Sequence, residues 1–121
     1  MNAEVSTSAG IPAEARASKD QGALAWKTED YNQAQLSWTT AIDILERWID
    51  ENANVQSSKE AVEFLKLLYS NRSAAYLKLG QNNHALADAD KCVAFDPLWL
   101  KGLCRKGDAF FAQCKFELAS K

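Results

Sequence analysis

Tyr69-Ser-Asn-Arg-Ser-Ala-Ala-Tyr76, running on as Leu-Lys-Leu-Gly80, is the stretch that decides the fold. Its small residues Ser73, Ala74 and Ala75 lie between two tyrosines on what reads as one helix. Small side chains let a second helix approach closely, and the flanking aromatics fill the space to either side. Helical spacing carries through the stretch, because Leu65, Leu68, Arg72, Ala75 and Leu79 recur at steps of three or four. Asn71 lies about 100° around the helix from that line, so it is free to face a groove instead of the packed seam.

Reading outward from it, the chain divides into helices. Towards the C-terminus, Gly80 ends this third helix, a fourth covers about Asn82–Phe95, and Asp96-Pro97 stops it. A fifth runs from about Leu98 to Cys114, and Phe116-Glu-Leu-Ala119 reads as the start of a sixth. Towards the N-terminus, Ser57-Ser-Lys-Glu60 matches a capping box that opens the third helix, and Glu51-Asn-Ala-Asn54 breaks the second. That second helix starts at Tyr31 and keeps Leu36, Ala41, Ile42, Leu45, Trp48 and Ile49 at helical spacing. Before a turn at Thr28-Glu-Asp30, Pro12 suits the first turn of a helix reaching about Lys27. Residues 1–11 are small and mostly polar, and are expected to be a disordered tail ahead of a folded domain at 12–121. No segment reads as a strand, so the fold class is all-α.

A repeat sets the architecture. Ser73 and Gly107, Tyr76 and Phe110, Asn82 and Phe116, and Ala85 and Ala119 are all 34 residues apart. A helix–turn–helix unit of that period has the tetratricopeptide length. Gly22, Ala25, Ala34, Trp38 and Ala41 fit a first unit, and Pro97 closes the second where the pattern expects it. Ala34 and Ala85, however, are 51 residues apart, 17 more than one period. The extra residues fall within about 43–65, where apolar spacing continues on both sides. The expectation is therefore a right-handed solenoid with two lengthened helices, projecting roughly 12 Å beyond the rest. Unit 1 is placed at about 15–48, unit 2 at about 66–99, and a partial unit 3 at about 100–121. Repeat arrays need a polar capping helix, and none is legible here. The sequence thus reads as the N-terminal part of something longer, or as a chain that self-associates through its uncapped C-terminal end.

Composition excludes several functions. A net charge of -2 gives no general attraction to nucleic acid, and no apolar run approaches membrane-spanning length. The first ten residues lack the cationic start and apolar run of a signal peptide. Three cysteines without close pairing (Cys92, Cys104, Cys114) suggest reduced, mostly buried thiols in a cytoplasmic protein. The single histidine, His84, sits in a polar turn with no nucleophile to serve. There is no glycine-rich phosphate loop and no metal-ligand spacing, so neither an enzyme nor a cofactor or metal is expected.

Binding is what remains. In such a solenoid the first helix of each pair lines the concave groove, and Lys19, Asn71, Lys101 and Arg105 all lie on those helices. Lys101 and Arg105 share a face, and Asn71 and Arg105 stand one period apart, side by side after stacking. Three cations and an amide make a site for carboxylates held by charge-assisted hydrogen bonds.

Tyr69-Ser-Asn-Arg-Ser-Ala-Ala-Tyr76 together with Asp96-Pro-Leu-Trp-Leu-Lys-Gly-Leu-Cys-Arg-Lys-Gly107 closely resembles the tetratricopeptide domains of heat-shock co-chaperones. The resemblance is to the stress-inducible organising protein, immunophilin and protein phosphatase class, and covers about residues 15–121 apart from the insertion. It implies a "carboxylate clamp" for the Glu-Glu-Val-Asp type of C-terminal peptide of heat-shock chaperones, of the 70-kDa and 90-kDa classes. By resemblance Lys19 is the first clamp lysine, Asn71 the second-repeat asparagine, and Lys101 and Arg105 the third-repeat pair. The remaining clamp asparagine falls at Ala23, a departure that removes one hydrogen bond worth about 1.5–3 kcal/mol. Asp108, three residues after Arg105, is placed to compete for its guanidinium. Trp26, Ala74 and Leu77 lie further along the same helices and are candidates for holding the apolar residue before the terminal acid. Trp99 reads as packing between units 2 and 3, and Trp48 as burial between the lengthened helices. The alternatives are a structural scaffold or self-assembling module without a clamp ligand, and a targeting domain of a larger enzyme.

Overall fold

A computed structural model of the protein describes residues 10–52 and 58–119. Five helices follow one another: α1 (Ala13–Lys27), α2 (Tyr31–Glu51), α3 (Ser58–Lys78), α4 (Asn82–Phe95) and α5 (Leu100–Ala119). Among the described residues there is no strand. Each helix packs against the next, and α3 also touches α5, which is the order of a solenoid.

The turns follow from local chemistry. The Pro12 carbonyl accepts from the Ala15 and Arg16 amides and so starts α1. Thr28 then donates to the Ala25 carbonyl, the backbone at Glu29 takes φ 63°, and Asp30 accepts from the Gln33 amide to start α2. Gly80 takes φ 77°, a left-handed conformation open to glycine, and lets the Gln81 amide reach back to the Tyr76 carbonyl. At the next corner the Asp96 side chain accepts from the Leu98 amide at 3.3 Å. The capping box falls on Ser57, which lies outside the described residues, as does most of the proposed tail. The tail's last residue is corrected: Ile11 is 8% exposed and belongs to the core.

Small residues dominate the helix contacts. Ala15, Ala34, Ala41, Ala61, Ala75, Ala85 and Ala89 have no exposure at all, which brings backbones close enough for large neighbours to interlock. The tightest approach is at Gly22, where an added Cβ would stand 2.3 Å from the indole nitrogen of Trp38. That indole cannot easily retreat, since it donates to the Lys19 carbonyl at 3.1 Å. Gly22→Ala is therefore expected to destabilise the fold by about 1–3 kcal/mol despite alanine's better helix propensity. Urea unfolding checks this, with no loss of stability as the contrary result.

The inserted residues form helix. α2 and α3 have 21 residues each, against 15 for α1 and 14 for α4, so they run about 10 Å further. Leu45, Ala61 and Leu65 bury the seam between these extra turns, and Trp48, Ile49 and Phe64 pack half-buried against it. Trp48 thus helps to hold the extension together. Trp99 packs against the core near α5 as its sequence position suggests. Lys66 lies over the Trp99 ring at 4.4 Å while pairing with Glu63 and Asp96 at 3.0 and 3.1 Å. Burial alone would lower the Lys66 pKa, but those two carboxylates outweigh it and leave the ammonium above its ordinary range.

At the C-terminal end the expected break before a sixth helix is corrected. Residues 112–116 contain neither glycine nor proline, and α5 continues unbroken to Ala119. The expectation of mostly buried thiols is also corrected. Only Cys92 is buried, its thiol pushed up to about 11 by desolvation, while Cys104 is exposed and Cys114 intermediate.

Candidate functional site

A cavity of about 170 Å³ opens where α1, α2, α3 and α5 come together, lined by Trp26, Trp38, Asn71, Ala74 and Arg105. Three helices of the solenoid contribute the residues expected for a groove. Trp26 comes from α1, Asn71 and Ala74 from α3, and Arg105 from α5, with Trp38 of α2 forming the floor. Asn71 faces this cavity for the reason its position on the helix suggested: it stands off the Leu68/Ala75 seam, both of which are fully buried. Its neighbour Arg72 turns the other way into the interior. There its Nε and Nη2 donate to the two Asp88 oxygens at 2.7 and 2.8 Å, and its Nη1 to Thr39 at 3.0 Å. Burial alone would lower the Arg72 pKa, and the Asp88 bonds more than reverse that.

Arg105 is half-buried and anchored from α3, its Nε donating to the hydroxyl of fully buried Ser70 at 3.3 Å. That bond uses one of the five guanidinium donors, leaving the fork's other N–H groups to recognise a carboxylate. No ion pair forms between Arg105 and Asp108 among the described residues, so the expected competition from Asp108 is not seen. Lys101 stands one turn before Arg105 on α5 and is exposed. Lys19 does not line the cavity. Its ammonium lies 5.6 Å from the ring of Phe64, a residue of the lengthened α3 that the sequence pattern did not single out. Ala23 is exposed one turn after Lys19 and presents only a methyl group where an amide would be needed. Leu77 lies a turn beyond Ala74, half-buried and outside the cavity wall.

The apolar side of the cavity is aromatic. Trp26 and Trp38 stand 6.1 Å apart, and Tyr31 meets Trp26 edge-on at 5.0 Å. A cation and an amide against an indole wall suit a ligand that is anionic at one end and apolar beside it. A larger cavity of about 390 Å³ lies at the far end of α5, walled by Gly80, Asn82, Asn83, His84, Gln113 and Glu117 among others. It has no lysine or arginine in its wall, and His84, which lies in the first turn of α4 and not in a connecting turn as its polar neighbours suggested, stands tilted against the Tyr76 ring at 5.2 Å. Among the described residues no cluster of His, Cys, Asp and Glu has the makings of a metal site, and no helix is long and apolar enough to cross a membrane.

The path of the helices matches the solved tetratricopeptide domain of Arabidopsis OM64 with a TM-score of 0.63 at 24% identity, covering 86% of this chain and 72% of that one. The chain has the tetratricopeptide repeat fold. No protein-family model matches it. In sequence this tetratricopeptide domain is 35% identical over 103 residues to the STIP1 homologue of Dictyostelium discoideum. It is also 32% identical over 101 residues to Hsp70-Hsp90 organizing protein 1 of Glycine max. Those alignments take in 85% and 84% of this chain but only 15% of either relative, so the tetratricopeptide domain corresponds to a small segment of each.

Proposed function

We propose that this tetratricopeptide domain is a non-catalytic, cytoplasmic binding module that holds the acidic C-terminal tail of a heat-shock chaperone, of the Glu-Glu-Val-Asp type, in its groove. The observation that carries the reading is the meeting of Asn71 and Arg105, from helices one repeat apart, in a single cavity beside Trp26 and Ala74. In this reading Lys101, one turn before Arg105 on α5, and Lys19 of α1 supply the remaining positive charge. The relatives include proteins named for organizing Hsp70 and Hsp90, which supports these two chaperone classes as the source of the tail. In this reading Arg105 and Lys101 take the terminal acidic side chain, Asn71 and Lys19 the chain-terminal carboxylate, and the Trp26/Ala74 wall the apolar residue before it. Ala23 leaves the terminal carboxylate one partner short, which weakens binding about tenfold relative to a clamp with asparagine there.

The test is a titration of a synthetic peptide ending Glu-Glu-Val-Asp beside its C-terminally amidated twin. The free acid is expected to bind at least tenfold more tightly, because amidation removes the charge that Lys19 and Asn71 would hold. Equal affinity for the two peptides, or none for either, removes the proposal.

A further inference from the structure

The side of α5 turned away from the other helices is apolar along its length. Towards α4 and α3 the helix buries Gly102 and Ala109, with Arg105 half-buried beside them. At about 100° per residue, Leu100, Cys104, Gly107, Phe111, Cys114 and Leu118 fall on the opposite side. Leu100 is 71% exposed, Phe111 67% and Leu118 72%. None of the six residues carries a charge. The steps between them are 4, 3, 4, 3 and 4, the heptad spacing of a helix that pairs with another helix.

The order of the residues says which helix fits. Read from either end, the stripe has a leucine first and a cysteine second, with Gly107 and Phe111 at its centre. Two antiparallel copies of α5, related by a two-fold axis level with Ala109, therefore set Leu100 against the second copy's Leu118 and Cys104 against its Cys114. Gly107 then faces the second copy's Phe111. A Cβ at Gly107 would meet nothing within 4 Å, so the glycine leaves a hole on this surface that a ring can fill. Phe110, 58% exposed, stands on one edge of the stripe beside the axis, where the two-fold brings both copies' rings together. A parallel pairing loses this fit. It sets glycine on glycine and Phe111 on Phe111, which leaves a void in one layer and crowding in the next.

We propose that the outer face of α5 is a dimerisation surface whose occupant is the same face of a second copy, antiparallel to it. The contact is isologous, so each residue pair occurs twice. This goes beyond the peptide-binding reading and leaves the groove open, since Arg105 lies about 140° around α5 from the middle of the stripe.

The full chain, kept reduced, is followed by sedimentation as its concentration is raised. Its mass is expected to rise from that of one chain to that of two. Phe111→Glu, at an exposed position, is expected to stay at one with its helix content unchanged. The cysteines then test the register. Cys104→Ser and Cys114→Ser are treated with diamide, separately and mixed; the reagent takes up two electrons and two protons as two thiols become one disulfide. Within one helix Cys104 and Cys114 stand about 15 Å apart, too far to join, and Cys92 is buried. Only the mixture is expected to yield a crosslinked dimer, because only there does a Cys104 meet a Cys114. A monomer at every concentration gives the face to some other helix and overturns the proposal. So does a Phe111→Glu variant that dimerises like the parent, or crosslinking no stronger in the mixture than in either variant alone.

Discussion

Lys101→Glu and Arg105→Glu are each expected to lower affinity for an acidic C-terminal peptide by roughly a hundredfold or more. Each change deletes a charge-assisted bond of about 1.5–3 kcal/mol and puts a negative charge where the ligand's carboxylate must sit. The helical circular-dichroism signal should be unchanged for Lys101→Glu, because that side chain is exposed and has no ion pair among the described residues. Arg105→Glu also breaks the bond to Ser70, so its melting temperature is expected to fall slightly. Lys106→Glu is the control. It makes the same charge change on the same helix, but Lys106 pairs with Asp90 at 3.2 Å, outside the groove. Its affinity should stay within about twofold of the parent, since screened surface charges act weakly at a distance. Calorimetry showing unchanged affinity in Lys101→Glu and Arg105→Glu would end the clamp reading, and an equal loss in all three would reduce it to net charge.

The largest effect on stability is expected from Asp88→Ala. The Asp88 side chain is 5% exposed and that of Arg72 16%, and the two share short bonds at 2.7 and 2.8 Å. Removing the carboxylate leaves a guanidinium inside the packed layer with the Thr39 hydroxyl as its one remaining hydrogen-bond partner among the described residues, beside the neutral rings of Tyr69 and Tyr76. Breaking a buried pair from one side costs about 3–5 kcal/mol, which lowers the melting temperature by roughly 10–20 °C. The double change Arg72→Leu with Asp88→Leu should recover most of this, because the main penalty is the stranded charge and not the loss of attraction. A single-mutant shift below about 3 °C would show that water or a rearranged partner already serves Arg72.

How much of this was legible in the sequence depended on whether a feature was periodic and local, or required two distant residues to meet. Helix α4 was read to its end residues because Gly80 and Asp96-Pro97 punctuate it by backbone geometry alone. The lengthening of α2 and α3 was legible for a similar reason: apolar spacing does not stop where the repeat arithmetic says residues have been added. The false break near Cys114 came from carrying the repeat one step further than local chemistry supports, since no residue there ends a helix. In the groove, Asn71 and Arg105 were brought together by period alone, whereas Trp38 was read only as a match to the first repeat unit although it also lines the cavity. The contact of Lys19 with the Phe64 ring needs α1 and α3 to approach through an insertion that has no counterpart in the repeat, so no period points to it. The Arg72–Asp88 pair did leave a signal. Arg72 stands in a seam otherwise made of Leu68 and Ala75, and Asp88 among Ala85, Ala89 and Cys92. A charge on each of two facing apolar stripes needs a partner of the opposite sign.

The indoles of Trp26 and Trp38, 6.1 Å apart in the cavity wall, give the groove an emission of its own. Indole fluorescence shifts with the polarity of its surroundings, and anything seated against Trp26 displaces water from that ring. Trp38, fixed by the Lys19 carbonyl, lines the same cavity, while Trp48 and Trp99 lie outside its wall, so a change in emission on filling the groove comes from Trp26 and Trp38. Occupancy of the groove is thereby readable in the unlabelled chain.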